Sequence, residues 1–175
     1  MEHGLDCVID KDIKAVVIGT FPSIKSRDAC YYNHEKNLFW PIMAEVLNNG
    51  KSLITKEERY QCLLKNHIGL WDVIRQCEFA TKSSLDSKII KENIIFNDFN
   101  VLMENCPHLR FFLFSSRNAE ILFKRYQRAI SIKTKLKQWF DEDITYIVLP
   151  STSPANARIK SSEKIRTWKE ALNKI

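Results

Sequence analysis

Three short runs of apolar, β-branched or aromatic residues punctuate the chain: residues 13–19 (IKAVVIG), 111–115 (FFLFS) and 145–150 (TYIVLP). Each is strand-sized, is apolar on both faces and stops at a turn signal, which is the pattern of a buried strand in a parallel sheet. A weaker fourth run, residues 67–71 (HIGLW), precedes Asp72. Between the runs the apolar period lengthens to that of a helix. Residues 38–47 place Phe39, Ile42, Met43, Val46 and Leu47 on one stripe, and further helices are predicted over residues 56–65, 99–104, 118–129 and 162–173. Strands alternating with helices predict a three-layer α/β sandwich with right-handed crossovers. In such sheets ligands bind beyond the carboxyl ends of the strands, which directs attention to the loops after Gly19, Ser115 and Pro150.

Nothing divides the 175 residues: there is no repeat, low-complexity tract or Gly/Ser/Pro-rich linker, and a single domain spanning residues 1–175 is expected. No apolar run approaches the ~20 residues of a membrane span. Met1-Glu2-His3-Gly4 opens no apolar signal core, so the expected location is intracellular, cytoplasmic and nucleoid-associated. The five cysteines (Cys7, Cys30, Cys62, Cys77, Cys106) form no CxxC pair, so neither zinc nor an iron–sulfur cluster is indicated, and the expectation is that they act as small buried hydrophobes in a reducing compartment.

Charge sharpens the picture. The net charge is +6, but residues 1–105 carry 13 Lys/Arg against 15 Asp/Glu while residues 106–175 carry 14 against 6. A basic C-terminal half suits a polyanion such as DNA, where each phosphate contact releases condensed counterions. Equally, Lys124, Arg125, Arg128, Lys133, Lys135 and Lys137 can be the solvated faces of helices.

Three segments carry candidate chemistry. Gly19-Thr20-Phe21-Pro22-Ser23 leaves the first strand, with Gly allowing a sharp turn and Pro fixing its path. It is neither GxGxxG nor a Walker loop, which argues against nucleoside triphosphates; read alone it is also a plain strand-to-helix turn. In Tyr31-Tyr32-Asn33-His34-Glu35-Lys36-Asn37-Leu38-Phe39-Trp40, aromatic faces can sandwich an extruded base and an amide can address its edge or a water. The competing reading makes Asn37 a helix N-cap and the tyrosines packing residues. Leu149-Pro150-Ser151-Thr152-Ser153-Pro154-Ala155-Asn156-Ala157-Arg158 is a stiff hydroxyl-rich loop able to donate to phosphate, or simply the lead into the last helix.

Taken together and in this order, VIGTFPSIKS, YYNHEKNLFWPIM, IGLWDVIRQCE, SSLDSKI, NDFNVLM and LPSTSPANA resemble blocks of the uracil-DNA glycosylase superfamily, nearest to its hypoxanthine-DNA (deoxyinosine) glycosylase branch. The resemblance covers nearly the whole chain, and its most specific parts are HEKNLFWP and LPSTSPANA. It implies a three-layer α/β/α sandwich around a central, mostly parallel four-stranded sheet, base flipping into a pocket at the sheet's carboxyl end, and no metal or organic cofactor. Many superfamily members hold a catalytic Asp or Asn where this chain has Phe21; the hypoxanthine branch relies instead on an Asn before Phe-Trp, matched by Asn37. Ser151 stands where other branches carry His or Asn. The branch commonly shows Asn-Gly after the third strand, and this chain departs from it with Ser115-Ser116-Arg117.

On this resemblance the expected enzyme is a monofunctional DNA glycosylase of base excision repair, hydrolysing the N-glycosidic bond of hypoxanthine or uracil in DNA. Asn37 is the expected catalytic residue, orienting a water below C1′ through its carbonyl. Gly19, Thr20, Phe21, Pro22, Tyr32 and Ser115 are the expected base pocket, with Tyr32 or Phe21 stacking on the base. Ser23, Ser151, Thr152, Ser153, Pro154, Asn156 and Arg158 are the expected DNA contacts. The expected partner is DNA carrying a deaminated or mispaired base, with no membrane contact, and the expected state is a monomer. Two other functions stay open at this point: a hydrolase of free nucleosides or nucleotides, and a catalytically silent nucleic-acid-binding module of the same fold.

Overall fold

The computed structural model describes residues 1–81, 86–130 and 134–175. Lys133 and the first residues of the SSLDSKI segment, Ser83 to Leu85, lie outside the described residues. In chain order the elements are β1 (Glu2–His3), β2 (Ala15–Gly19), α1 (Ile24–Arg27), α2 (Phe39–Leu47), α3 (Lys56–Lys65), β3 (Ile68–Asp72), β4 (Ile74–Cys77), β5 (Ile95–Phe96), α4 (Asn100–Asn105), β6 (Phe111–Phe114), α5 (Arg117–Ala129), α6 (Lys135–Glu142), β7 (Thr145–Val148) and α7 (Ser161–Leu172).

The four apolar runs become one parallel sheet in the order β3-β2-β6-β7. Successive side chains on a strand point to opposite faces, so the sheet sorts its own residues into two cores. Val16, Ile18, Phe112 and Phe114 face α4, α5 and α6 through Phe99, Leu102, Ala119, Phe123, Leu136 and Phe140. Ala15, Val17, Ile68, Leu70 and Leu113 face α2, α3 and α7 through Phe39, Ile42, Met43, Leu63, Trp168 and Leu172. Both faces are covered, which is why the runs show no polar alternation, and the result is a three-layer α/β/α sandwich. Among the described residues no helix is long and apolar enough to cross a membrane.

Local chemistry sets the helix starts. The Thr55 hydroxyl accepts from the Glu58 N–H at 3.1 Å while the Glu58 carboxylate accepts from the Thr55 N–H at 2.9 Å, a reciprocal cap on α3. The Ser116 hydroxyl accepts from the Ala119 N–H at 3.1 Å and starts α5.

A second, antiparallel sheet of order β1-β4-β5 lies outside the sequence reading. Its strands hold two to four residues each and include the polar Glu2, His3, Arg75 and Gln76. It matters because β4 follows β3 after a single residue: the Val73 and Ile74 N–H groups bond the Gly19 and Thr20 carbonyls at 2.9 and 3.1 Å. The chain leaving β3 is therefore laced to the chain leaving β2.

Candidate active site

At the carboxyl ends of β2, β3, β6 and β7 the chain encloses a cleft of about 540 Å³, within the usual range for small-molecule pockets. Residues 19–23 leave β2, Ser115 and Ser116 follow β6, and residues 151–158 follow β7, all three bordering this cleft. The Ser115 N–H bonds the Ile18 carbonyl at 2.9 Å and the Leu149 N–H bonds the Phe114 carbonyl at 2.8 Å, so sheet hydrogen bonding continues to the point where the loops turn away.

The Tyr31–Asn37 segment closes the cleft from above α2. Asn33 joins it to α1, its N–H bonding the Ser26 hydroxyl at 3.2 Å and its Nδ2 the Lys25 carbonyl at 3.3 Å. Arg59 on α3 braces it from behind, donating to Asn33 Oδ1 at 2.9 Å with its guanidinium over the Trp40 ring at 5.3 Å. Tyr32 takes φ of 56°, a left-handed conformation uncommon for a bulky residue. Such strain persists only where the surroundings dictate it, and here the Tyr32 ring is stacked on Phe39 with centroids 4.0 Å apart.

Asn37 borders the cleft together with residues 19–23, Ser151 and Ser153. Its Oδ1 accepts from the Phe39 N–H at 2.9 Å, while the N-cap position of α2 falls on Leu38 and not, as the competing reading expected, on Asn37. Among the described residues no hydrogen bond engages its Nδ2.

Phe21 is 9% exposed. Its ring packs 5.9 Å from Phe79 and lies beneath the Arg27 guanidinium at 5.5 Å. It lines the cleft with Phe79 and Arg27 packed against its ring. Gly19, Thr20, Pro22, Ser23, Tyr32, Ser115, Ser151, Ser153, Asn156 and Arg158 also line the cleft. Thr152 and Pro154 do not: Thr152 is buried with its carbonyl accepting the Leu38 N–H at 3.1 Å, and Pro154 is exposed. The departure at residues 115–117 resolves into separate tasks. Ser115 is buried at the cleft, Ser116 caps α5, and Arg117 pairs with Glu120.

The third loop is stiffened by buried polar groups. Asn156 Nδ2 donates to the Ser151 carbonyl at 3.2 Å, and Lys164 Nζ, on a residue 4% exposed, donates to the Asn156 carbonyl at 2.7 Å. Burial lowers the Lys164 pKa below the usual lysine value.

One residue that the sequence did not mark as part of the site stands out. Asp72, 3% exposed, ends β3 in register with Gly19 and lines the cleft. A Cβ on Gly19 would meet Asp72 Oδ1 at 2.1 Å and the Tyr32 hydroxyl oxygen at 3.3 Å, so glycine is needed there for the carboxylate to fit. Asn97 fixes the backbone below it, donating Nδ2 to the Asp72 carbonyl at 2.8 Å. The neighbouring Tyr31 hydroxyl has its pKa pushed well up, by burial first and then by the Asp72 charge. A signal was present in the sequence: an acidic residue closing an apolar run sits where an α/β sheet presents its ligand. Among the described residues no group of three or more His, Cys, Asp or Glu is placed to hold a metal ion.

No protein-family model matches the chain. Comparison with curated proteins finds a hypoxanthine DNA glycosylase of Methanosarcina acetivorans, 31% identical over 165 residues and covering 94% of each chain. A hypoxanthine DNA glycosylase of Methanosarcina barkeri is 29% identical over 174 residues, 99% of each chain. Among solved structures, the solution NMR structure of a candidate uracil DNA glycosylase from Methanosarcina acetivorans superposes with a TM-score of 0.74 at 29% identity, over 98% of this chain and 96% of that one.

Proposed function

The chain belongs to the uracil-DNA glycosylase superfamily, on the side of its hypoxanthine-DNA glycosylases, and from that premise we propose that it removes a deaminated base, hypoxanthine foremost, from DNA. The observation that supports this most is the meeting of Asn37, the Gly19–Ser23 loop and the Ser151–Arg158 loop around one cleft at the sheet's carboxyl end.

In this reading the lesion nucleotide is extruded from the duplex. Extrusion costs a few kcal/mol and least where a deaminated base is mispaired, which itself favours damaged sites. The base enters the cleft against Tyr32, whose ring is held by Phe39. The C1′–N bond then breaks with its electron pair leaving on the base; water supplies hydroxide to C1′ and a proton to the departing base. Positive charge builds on the sugar and negative charge on the base in the transition state.

Asn37 is neutral and does not ionise usefully, so its part is positional. Its oxygen, with one lone pair on the Phe39 N–H, holds the attacking water with the other. The backbone N–H groups of Thr20, Phe21 and Ser23 face the charge developing on the base. One well-placed donor of this kind is worth roughly 3 kcal/mol of barrier. The exposed Arg158 and the half-buried Ser153, both lining the cleft, take the flanking phosphates. Base excision repair, monofunctional hydrolysis and a monomeric state follow as parts of the same proposal.

The test is alkaline strand scission of duplexes carrying hypoxanthine, xanthine or uracil opposite each normal base. Cleavage at hypoxanthine is the expected result. Hydrolysis of free deoxyinosine with intact duplexes would assign the cleft to small molecules, and duplex binding with no scission on any lesion would make it a silent binding module.

A further inference from the structure

We propose that Arg59 and Tyr60, consecutive residues of α3, are positioning residues for base release: from outside the cleft they hold the main chain on either side of Tyr32 and so fix its ring against the extruded base. This rests on the glycosylase reading and carries it to a helix that supplies none of the described residues lining the cleft.

Tyr32 needs holding. At φ of 56° its backbone lies in the left-handed region, which is strained for a bulky residue. Relaxation to the extended region would turn the Cα–Cβ bond and swing the ring out of place. The ring stacks on Phe39 with centroids 4.0 Å and planes 20° apart. The gain from one aromatic stack is of the same order as the strain of one such residue, so the stack alone leaves little margin for the observed conformation.

α3 supplies that margin from both sides of the strained residue. Ahead of Tyr32, the Tyr31 N–H donates to the Tyr60 hydroxyl oxygen at 3.1 Å. Behind it, Arg59 Nη1 donates to Asn33 Oδ1 at 2.9 Å, a charge-assisted bond and the stronger of the two. Trp40 adds a third tie, its Nε1 donating to the Tyr31 carbonyl at 2.8 Å. Arg59 is itself aimed: its Nε donates to the Leu53 carbonyl at 3.1 Å, and its guanidinium lies 5.3 Å over the Trp40 ring. The planar fork serves two acceptors in fixed directions, which a lysine ammonium does not reproduce. The helix is a firm base for this clamp, its start closed by the Thr55–Glu58 cap and its Cys62 and Leu63 set in the core.

The clamp reaches the chemistry along the chain. The Asn37 N–H bonds the His34 carbonyl at 2.8 Å, so the segment from Tyr32 to Asn37 is a compact turn. A rotation at Tyr32 therefore displaces the ring and the Asn37 amide together, and a misplacement of about 1 Å is enough to slow a reaction roughly a hundredfold.

The experiment measures single-turnover release from a hypoxanthine duplex, duplex affinity and melting temperature. The variants are Arg59→Met, Tyr60→Phe, Tyr32→Gly, the two doubles with Tyr32→Gly, and Thr55→Ala. Glycine adopts a positive φ freely and carries no ring, so in the Tyr32→Gly background the clamp has nothing to hold. Arg59→Met is expected to slow release about a hundredfold, with duplex affinity near that of wild type. Tyr60→Phe, which deletes one hydroxyl, is expected to slow it about fivefold. Neither is expected to slow release further in the Tyr32→Gly background, the mark of residues that act through Tyr32. Thr55→Ala removes the cap of α3 without touching the segment, and is expected to lower the melting temperature while release keeps its wild-type rate. Equal slowing by the clamp variants with and without Tyr32, equal slowing by Thr55→Ala, or wild-type release by both Arg59→Met and Tyr60→Phe would each overturn the proposal while base excision stood. Should Arg59→Met fail to fold, Tyr60→Phe decides; should Tyr32→Gly release too slowly to compare, Thr55→Ala decides. Absence of release by wild type from every lesion duplex would remove the glycosylase reading and this inference with it.

Discussion

Leu38 donates its backbone N–H to the carbonyl oxygen of Thr152 at 3.1 Å, one residue beyond Asn37 on one side and one short of Ser153 on the other. This bond joins the segment entering α2 to the loop leaving β7. Positioning effects in catalysis decay over about an ångström of misplacement, so a direct main-chain link between the two loops has functional weight. Thr152, expected from the sequence to touch DNA, has instead its side chain buried and its carbonyl engaged in this link.

Asn37 immediately precedes the Leu38 end of that link. Replacing it with alanine removes the oxygen that accepts the Phe39 N–H at 2.9 Å at the start of α2. The expected loss of stability is about 1 kcal/mol, typical of one removed hydrogen bond. Base release is expected to disappear while duplex binding persists. Thermal unfolding, strand scission and fluorescence anisotropy on one preparation check the three parts. Wild-type scission by Asn37→Ala at hypoxanthine would refute the assigned role.

Gly19→Ala tests the packing between β2 and β3. The new methyl would stand 2.1 Å from Asp72 Oδ1, so either the carboxylate swings away or the strand ends part. Overpacking of this sort destabilises by about 1–3 kcal/mol. A lowered melting temperature and lost excision are expected together. An unchanged melting temperature would mean that Asp72 is not packed against Gly19 as described.

Much of this was legible in the sequence, and for a physical reason. Strands covered on both faces read as unbroken apolar runs, so residues 13–19, 111–115 and 145–150 fall on β2, β6 and β7, and the weaker run at 67–71 falls on β3. The longer helices show their stripe because each buries one side only. The small sheet did not show itself. Glu2–His3 and Ile95–Phe96 are too short for any period and pair only through partners distant in sequence. Asp72 was passed over because a single acidic residue after an apolar run is also an ordinary strand terminator; burial and its register with Gly19 distinguish it, and both exist only in three dimensions. Phe21 is the converse. As an aromatic in a loop it suggested a wall of the base pocket, and it lines the cleft with Phe79 and Arg27 packed against its ring.

Arg158 lies exposed at the mouth of the cleft, where it would meet phosphate rather than base. Arg158→Ala is expected to weaken duplex binding about equally for all sequences and to reduce the slope of log K against log salt by about one. Anisotropy titrations from low to high salt measure this. A sequence-dependent loss, or an unaltered slope, would place Arg158 away from the phosphates.

The last prediction concerns alkali, where the signs can be worked through. Tyr31, Tyr60, Tyr126 and Tyr146 all have pKa values raised above 10.0, burial being the first cause in each. Cys7 and Cys62 are raised above 9.0 and Cys106 to about 11, again chiefly by burial. In all seven the fold holds the proton more firmly than the unfolded chain does. Their contribution is complete below the unfolded pKa and is lost as pH climbs through the folded value. Lys164 runs the other way: its pKa is lowered from 10.5, so the fold is relieved as that amine loses its proton. One such group opposes seven. The net slope is downward, about 1.4 kcal/mol per pH unit for each group that is ionised in the unfolded chain yet protonated in the fold. Urea midpoints should hold steady from pH 7 to about 9 and then fall. Tyr31→Phe, which removes the most deeply placed hydroxyl and its bonds to Leu5 and Asp6, should start from a lower midpoint and decline less steeply. A midpoint that stays level or rises between pH 9 and 11 would show that these hydroxyl and thiol groups reach solvent far more freely than their packing allows.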